Sequence, residues 1–300
     1  MGIFTPSYLK EGPGVSKDAK KKRGVFLLID IMFRKFFKLM QANFLHFVIS
    51  LPYVAILFMF VSPFVINGLE LNLDVGAAAG FDAETMKGVA EVFARSVIAI
   101  GLFNYLGSGP ASAAYAYICR CYTRGEHTWI LSDGKDIFKA NFFQAMGLVV
   151  LDILVICLVM NAVKFYGALS VGSGVFTAVR YATFFLLMLY ITMHYYIYQI
   201  MVTYKCSFID LMKYSIIISL AKLPLTVILT VITGGIYYLF MTFIATANPF
   251  IFAILYGIIG LTLMRFPLEF FAARVIDKNI NAEQKRTKRE QEQLNGSDEQ

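Results

Sequence analysis

An all-α membrane protein is the fold class the sequence predicts, with six transmembrane helices as three hairpins, preceded by an amphipathic interfacial helix. Three observations predict it. Of 300 residues, 58% are hydrophobic and 16% are charged, against roughly 45–50% and about 25% in an ordinary globular chain. Too few charges remain to clothe a water-facing surface, and the mean hydropathy is +0.65. Six stretches meet the need for about 20 mainly apolar residues to cross roughly 30 Å of hydrocarbon. Finally, 22 of the 27 Lys and Arg residues fall on one side of those stretches, as the positive-inside bias requires.

Residues 1–23 are polar and basic, ending in Lys20-Lys21-Lys22-Arg23. They hold no short apolar core before a small-residue cleavage site, so no cleavable signal peptide is expected. Met1-Gly2 opens a myristoylation pattern, but Pro6 stands where Ser or Thr is required. Residues 24–41 are periodic. Phe26, Leu27, Ile31 and Phe37 alternate with Asp30, Arg34, Lys35 and Lys38, which predicts an amphipathic helix at the membrane surface. Its continuation into the first span is compatible with that reading. Arg34, Lys35 and Lys38 are the candidate interfacial basic residues.

The transmembrane domain is expected over 42–276. Its spans are Asn43 to about Ile66, about Val89 to Tyr122, Phe142–Ala162, Val175–Met201, about Tyr214 to Phe240 and about Pro249 to Phe271. The second is too long for a straight crossing. A tail over 277–300 alternates charges, as a solvated helix does. Placing the basic side in the cytoplasm puts both termini there and makes the span number even, in a multi-pass plasma-membrane protein. The net charge of +7 is thereby topological, and nucleic acid is not expected as a partner. The outer segment 67–86 is acidic. Cys119, Cys121, Cys157 and Cys206 form no C-x-x-C pair and read as packing residues in a reducing compartment.

Three features inside the spans bear on function. Gly107-Ser108-Gly109-Pro110-Ala111 interrupts the second span. Pro110 deletes a helical hydrogen bond, and the small residues let another backbone approach. Gly107, Gly109, Pro110 and Ala111 are therefore a candidate helix-break site, read either as a tightly packed kink or as the wall of a substrate site. Ionisable residues at membrane depth are costly unless paired. Asp152 lies near the middle of the third span. Glu91 and Arg95 are one turn apart in the second, and Arg265 and Glu269 are similarly spaced in the sixth. His46 and His194 lie in the first and fourth spans. Asp152, Arg95, Glu91 and His194 are the candidate intramembrane polar site, either a proton or ion path or a static interhelical pair of Arg95 with Asp152. Tyr190, Tyr195, Tyr196 and Tyr198 cluster around His194, as in an interfacial belt or a platform for flat apolar faces.

No G-x-S-x-G, H-E-x-x-H, Walker loop or dinucleotide fingerprint is present. Three scattered histidines give poor support for a metal centre. No catalytic activity, cofactor or metal is expected. Apolar–Lys steps at Phe37-Lys38, Phe138-Lys139 and Met212-Lys213, with Leu-Pro at Leu51-Pro52 and Leu223-Pro224, suggest three hairpins of similar design; anchoring at a surface would produce the same steps.

Gly12-Pro13-Gly14-Val15, Lys17-Asp18, Arg34-Lys35-Phe36-Phe37-Lys38-Leu39, Asn43-Phe44-Leu45 and Leu51-Pro52 resemble the opening of YesL-family proteins. Gly109-Pro110-Ala111-Ser112-Ala113-Ala114-Tyr115, with Arg120 and Arg124-Gly125-Glu126, resembles that family's second-helix signature. Asp136-Ile137-Phe138-Lys139 and Asn141-Phe142 follow it. The likeness covers residues 10–150, and the acidic 67–86 segment departs from it. It implies a bacterial polytopic membrane protein of undefined activity with a role near carbohydrate import. The function expected on that basis is an accessory or regulatory partner of a carbohydrate-uptake system, with ABC-transporter permease subunits as its partners. The alternatives are a small-solute or ion transporter with its site at the broken second helix, and an intramembrane enzyme. The lipid bilayer is the one partner that composition itself implies.

Overall fold

The computed structural model describes residues 24–68, 109–170, 173–245, 259 and 262–279, with 53–68 and 236–245 described in backbone only. Glu91, Arg95 and Gly107 lie outside these residues, as do 69–86 of the acidic segment and 280–300 of the tail. Every regular element among the described residues is a helix. In chain order these are α1 (Val25–Arg34), α2 (Phe36–Gly68), α3 (Gly109–Arg124), α4 (Ile130–Ala140), α5 (Phe142–Leu169), α6 (Gly174–Met201), α7 (Phe208–Ala221) and α8 (Leu223–Ala245). A last helix, α9, covers 262–279.

Among the described residues, two helices are long and apolar enough to cross a bilayer, α5 and α6, each of 28 residues. The two pack against each other, and the Ser173 N–H donates to the Ser170 carbonyl at 3.3 Å between them. A third crossing is made if α7 and α8 act together, but their axes bend by 84°. The expected straight segment from Tyr214 to Phe240 is thus broken. Lys222 leaves helical geometry at φ −115° and ψ 16°. Pro224, two residues on, has no N–H to continue the ladder, and its ring crowds the carbonyl one turn earlier.

The segment expected as one interfacial helix over 24–41 divides at Lys35, whose φ is −110°. α1 turns Leu28 and Ile31 into the bundle and leaves Phe26 and Phe33 exposed. The remainder is continuous with α2 and the expected first span. This arrangement suits a short helix lying along an apolar surface, with a large-residue face outward and a smaller aliphatic face inward.

α3 is the centre of the packing, touching α1, α2, α4, α5 and α6. Its small residues make this possible, because Ala111, Ala113 and Ala116 are all buried and bring neighbouring backbones close. Pro110 occupies the first turn, where the missing N–H removes no intrahelical bond. Gly109 has φ 49°, and a Cβ there would stand 2.9 Å from Val149 Cγ2 of α5. Only glycine meets both conditions. At the other end of α3, Arg124 donates to both carboxylate oxygens of Asp277 at 3.0 and 2.5 Å. This bidentate pair fastens α3 to α9.

The four cysteines are free. Burial, reinforced by nearby Asp210, pushes the Cys206 thiol up; this is the environment of an unreactive packing cysteine. Gly109→Ala is expected to lower stability by about 1–3 kcal/mol through combined backbone strain and overpacking. The unfolding temperature in detergent measures this, and an unchanged value would contradict the α3–α5 packing.

Candidate functional site

The sequence scatters its buried ionisable residues over four helices. The fold gathers them into two adjoining clusters. The first joins α5 to α6. Asp152 is completely buried. The Tyr190 hydroxyl donates to its Oδ1 at 2.5 Å, and His194 Nε2 lies 2.8 Å from the same oxygen. His194 Nδ1 is 3.0 Å from the Tyr190 carbonyl oxygen. A carbonyl only accepts, so Nδ1 carries a proton. Two lone pairs would repel at that separation, so Nε2 carries a second proton and His194 pairs with the carboxylate as an ion, in a contact that is close but not aligned as a hydrogen bond. Asp152 and His194 together are neutral in this state. Among the described residues, Asp152 Oδ2 has no hydrogen-bonding partner.

The second cluster joins α2, α3, α6 and α9. Arg265 and Glu269 are buried and four residues apart on α9, as their spacing predicts. Arg265 Nε donates to Glu269 Oε1 at 3.4 Å. One terminal guanidinium nitrogen reaches His46 Nε2 at 2.7 Å. Arginine only donates, so His46 accepts and is the neutral imidazole. Gln199 Nε2 bridges Glu269 Oε2 at 2.6 Å and the Ala116 carbonyl at 3.0 Å. Ser112 Oγ stands 3.4 Å from His46 Nε2. The Tyr115 ring lies under the guanidinium, 4.9 Å from centroid to Cζ, in cation–π geometry.

A cavity of about 10 Å³ separates the clusters, lined by His194, Tyr195, Tyr198, Arg265, Leu268 and Glu269. That volume accommodates one water with polar partners on several sides. His46 faces the other way as well. It lines a groove of about 320 Å³ between α2, α3 and α4, whose wall includes Ala111, Ala114, Tyr115, Ile118 and Phe138 with Lys135. The lining is almost wholly apolar. A second groove, of about 270 Å³, runs between α6 and α7 and has Tyr190 in its wall.

The candidate residues therefore separate in place. Gly109 packs against α5, whereas Ala111, two residues on, lines the large groove. Gly109 and Ala111 thus supply a tight contact and a groove wall on different faces of one helix. Asp152 and His194 come together. Arg34, Lys35 and Lys38 sit apart, at the corner between α1 and α2. There Arg34 lies 3.9 Å from Asp30, and the Lys35 ammonium lies over the Tyr122 ring at 5.9 Å. The tyrosine cluster points inward. Tyr195 pairs with Thr230 at 3.1 Å and Tyr196 with Thr226 at 2.8 Å, so these rings act as hydrogen-bonding posts between α6 and α8. Among the described residues no group of three His, Cys, Asp or Glu could hold a metal ion.

Gln199 and Ser112 are the members that sequence reading missed. Gln199 is the one amide within the apolar run Ile197–Met201; a lone amide there is the signal that points to a buried polar partner.

What the fold and these clusters define is an all-helical protein with bilayer-length helices and a paired ionic core. No family model, curated protein or solved structure matches the chain.

Breaking a buried pair costs more than replacing both partners, because one charge is left uncompensated. Arg265→Met alone is expected to lose about 3–5 kcal/mol of stability, and Arg265→Met with Glu269→Met to lose clearly less. Denaturant unfolding in mixed micelles measures both. A double variant as damaged as the sum of its single variants would contradict the pairing.

Proposed function

We propose that this chain is a six-span membrane carrier for a small solute, with both termini cytoplasmic. The observation that supports this reading is the groove beside the first turns of α3, whose wall residue His46 is bonded directly to buried Arg265. Occupancy of the groove displaces His46 or Tyr115 and so bears on the ionic core. Membrane carriers commonly site substrates where helices are interrupted and use intramembrane ionisable groups for coupling. The apolar lining with a lysine beside it favours a solute that has an apolar body and an anionic end. A bare sugar would find too few hydrogen-bonding partners along these walls.

Uptake into proteoliposomes by wild type across a panel of short-chain carboxylates, lipids, sugars and ions tests the reading. Ala114→Leu, which fills the groove, should cut uptake of the carried compound about tenfold or more. Asp152→Asn should abolish it. Identical flux in wild type, both variants and empty liposomes would sink the proposal.

A second reading follows from the resemblance of residues 10–150 to YesL-family proteins. There the chain is an accessory partner of a carbohydrate-uptake system and touches a permease. The observation that favours it is the run of exposed large apolar residues at the basic end, including Phe33, Phe37, Trp129 and Leu131. Crosslinking in native membranes should then recover permease subunits, and Leu131→Glu should weaken the recovery. Crosslinked samples without any permease subunit would count against it.

A further inference from the structure

The carrier reading leaves open what drives it, and the geometry points to a proton. We propose that Asp152 and His194 form the proton-binding site of this protein, gaining and losing one proton in each cycle of the carrier. The inference rests on the carrier reading for its purpose but on the α5–α6 cluster for its evidence.

The pair already contains one proton more than two isolated lone-pair atoms would. His194 Nδ1–H is committed to the Tyr190 carbonyl at 3.0 Å. The second proton, on Nε2 at 2.8 Å from Oδ1, is the one that can leave. With it the pair is neutral; without it a carboxylate faces a neutral imidazole and the site carries one negative charge. No bond between heavy atoms changes, and the proton is exchanged with water. Tyr190 donates to the same oxygen and so supports the carboxylate once the proton has gone. Completely buried charge of this kind is expensive unless a counter-charge is near.

That counter-charge is across the one-water cavity. From α9, Arg265 and Glu269 line it with His194. α6 itself contributes Tyr195 and Tyr198 to the same walls. From α3, Tyr115 lies under Arg265 and Cys119 is buried against the Arg265–Glu269 pair. The polar groups that α7 and α8 turn onto α6 at this level are hydroxyls, Ser219 at 2.8 Å from Thr192, Thr226 at 2.8 Å from Tyr196 and Thr230 at 3.1 Å from Tyr195. From α2, neutral His46 bonds Arg265. Loss of the proton therefore pulls Arg265 toward the cavity and away from His46 in the groove wall. A cargo that attracts Arg265 toward the groove does the reverse. The deprotonated pair and an anionic cargo compete for one arginine through opposite faces, so binding of the proton favours binding of the cargo, which is the reciprocity that coupling requires.

The chain holds three histidines, so ¹⁵N-histidine solid-state NMR of the full chain in liposomes resolves each ring. The result expected is a His194 ring that keeps Nδ1 protonated throughout and switches Nε2 between protonated and bare from about pH 5 to about pH 9. Asp152→Asn should hold His194 in one state across that range. Tyr190→Phe, which removes a donor but leaves both partners, should keep the switch at a displaced midpoint. A wild-type His194 that is unchanged over the range overturns the proposal, as does an Asp152→Asn protein whose ring titrates like wild type. Should Asp152→Asn fail to fold, an unmoved midpoint in Tyr190→Phe overturns it equally. The measurement needs no cargo. A titrating His194 in a protein that transports nothing removes the carrier reading alone, and transport with an inert His194 removes the proton site alone.

Discussion

Compensating charge inside an apolar bundle is the constraint on which the rest of this structure depends. Arg265, Glu269 and Asp152 are buried at positions where an uncompensated ion would cost several kcal/mol. The fold answers with partners both within one helix and between helices. Glu269 and Arg265 cancel within α9, Asp152 and His194 cancel between α5 and α6, and His46 accepts from Arg265 as a neutral ring. Each partner fixes the rotation of the helix that carries it. The polar residues thus determine which faces meet, a choice that the uniformly apolar surfaces of α5 and α6 leave undetermined, since lipid is as good a neighbour for them as another helix.

α3 makes that assembly compact. Ser112 and Tyr115 project toward His46 and Arg265 on one side, and Gly109 lets α5 approach on another. A larger residue at Gly109 would push α5, and with it Asp152, away from the core. The groove, the glycine contact and the ionic cluster are three faces of one short helix, so a disturbance at any of them reaches the others by rigid packing.

Much of this was legible in the sequence. The helical class follows from composition, and α5 and α6 appear where runs of apolar residues place them. The Arg265–Glu269 pair follows from a spacing of four, because that spacing alone sets two side chains on one helix face. Asp152 and His194 were legible as costly residues but not as partners. Their meeting depends on the rotation of α5 against α6, which no local pattern encodes. The break at Lys222 was not legible. Leu223-Pro224 lies within an apolar run, and proline is tolerated in spans as a mere kink. The tyrosines around His194 read as a surface belt because belts and buried hydrogen-bonding posts have the same composition; only Thr226 and Thr230, thirty residues on, distinguish them.

The central claim is that the groove wall and the buried carboxylate belong to one connected network. A double-mutant cycle on stability between His46→Ala and Asp152→Asn tests it most directly, since Arg265, the cavity and His194 connect those residues. The result expected is a coupling free energy above about 0.5 kcal/mol, the margin within which independent sites add. Strict additivity of the two substitutions would contradict a connected network and leave two separate polar contacts.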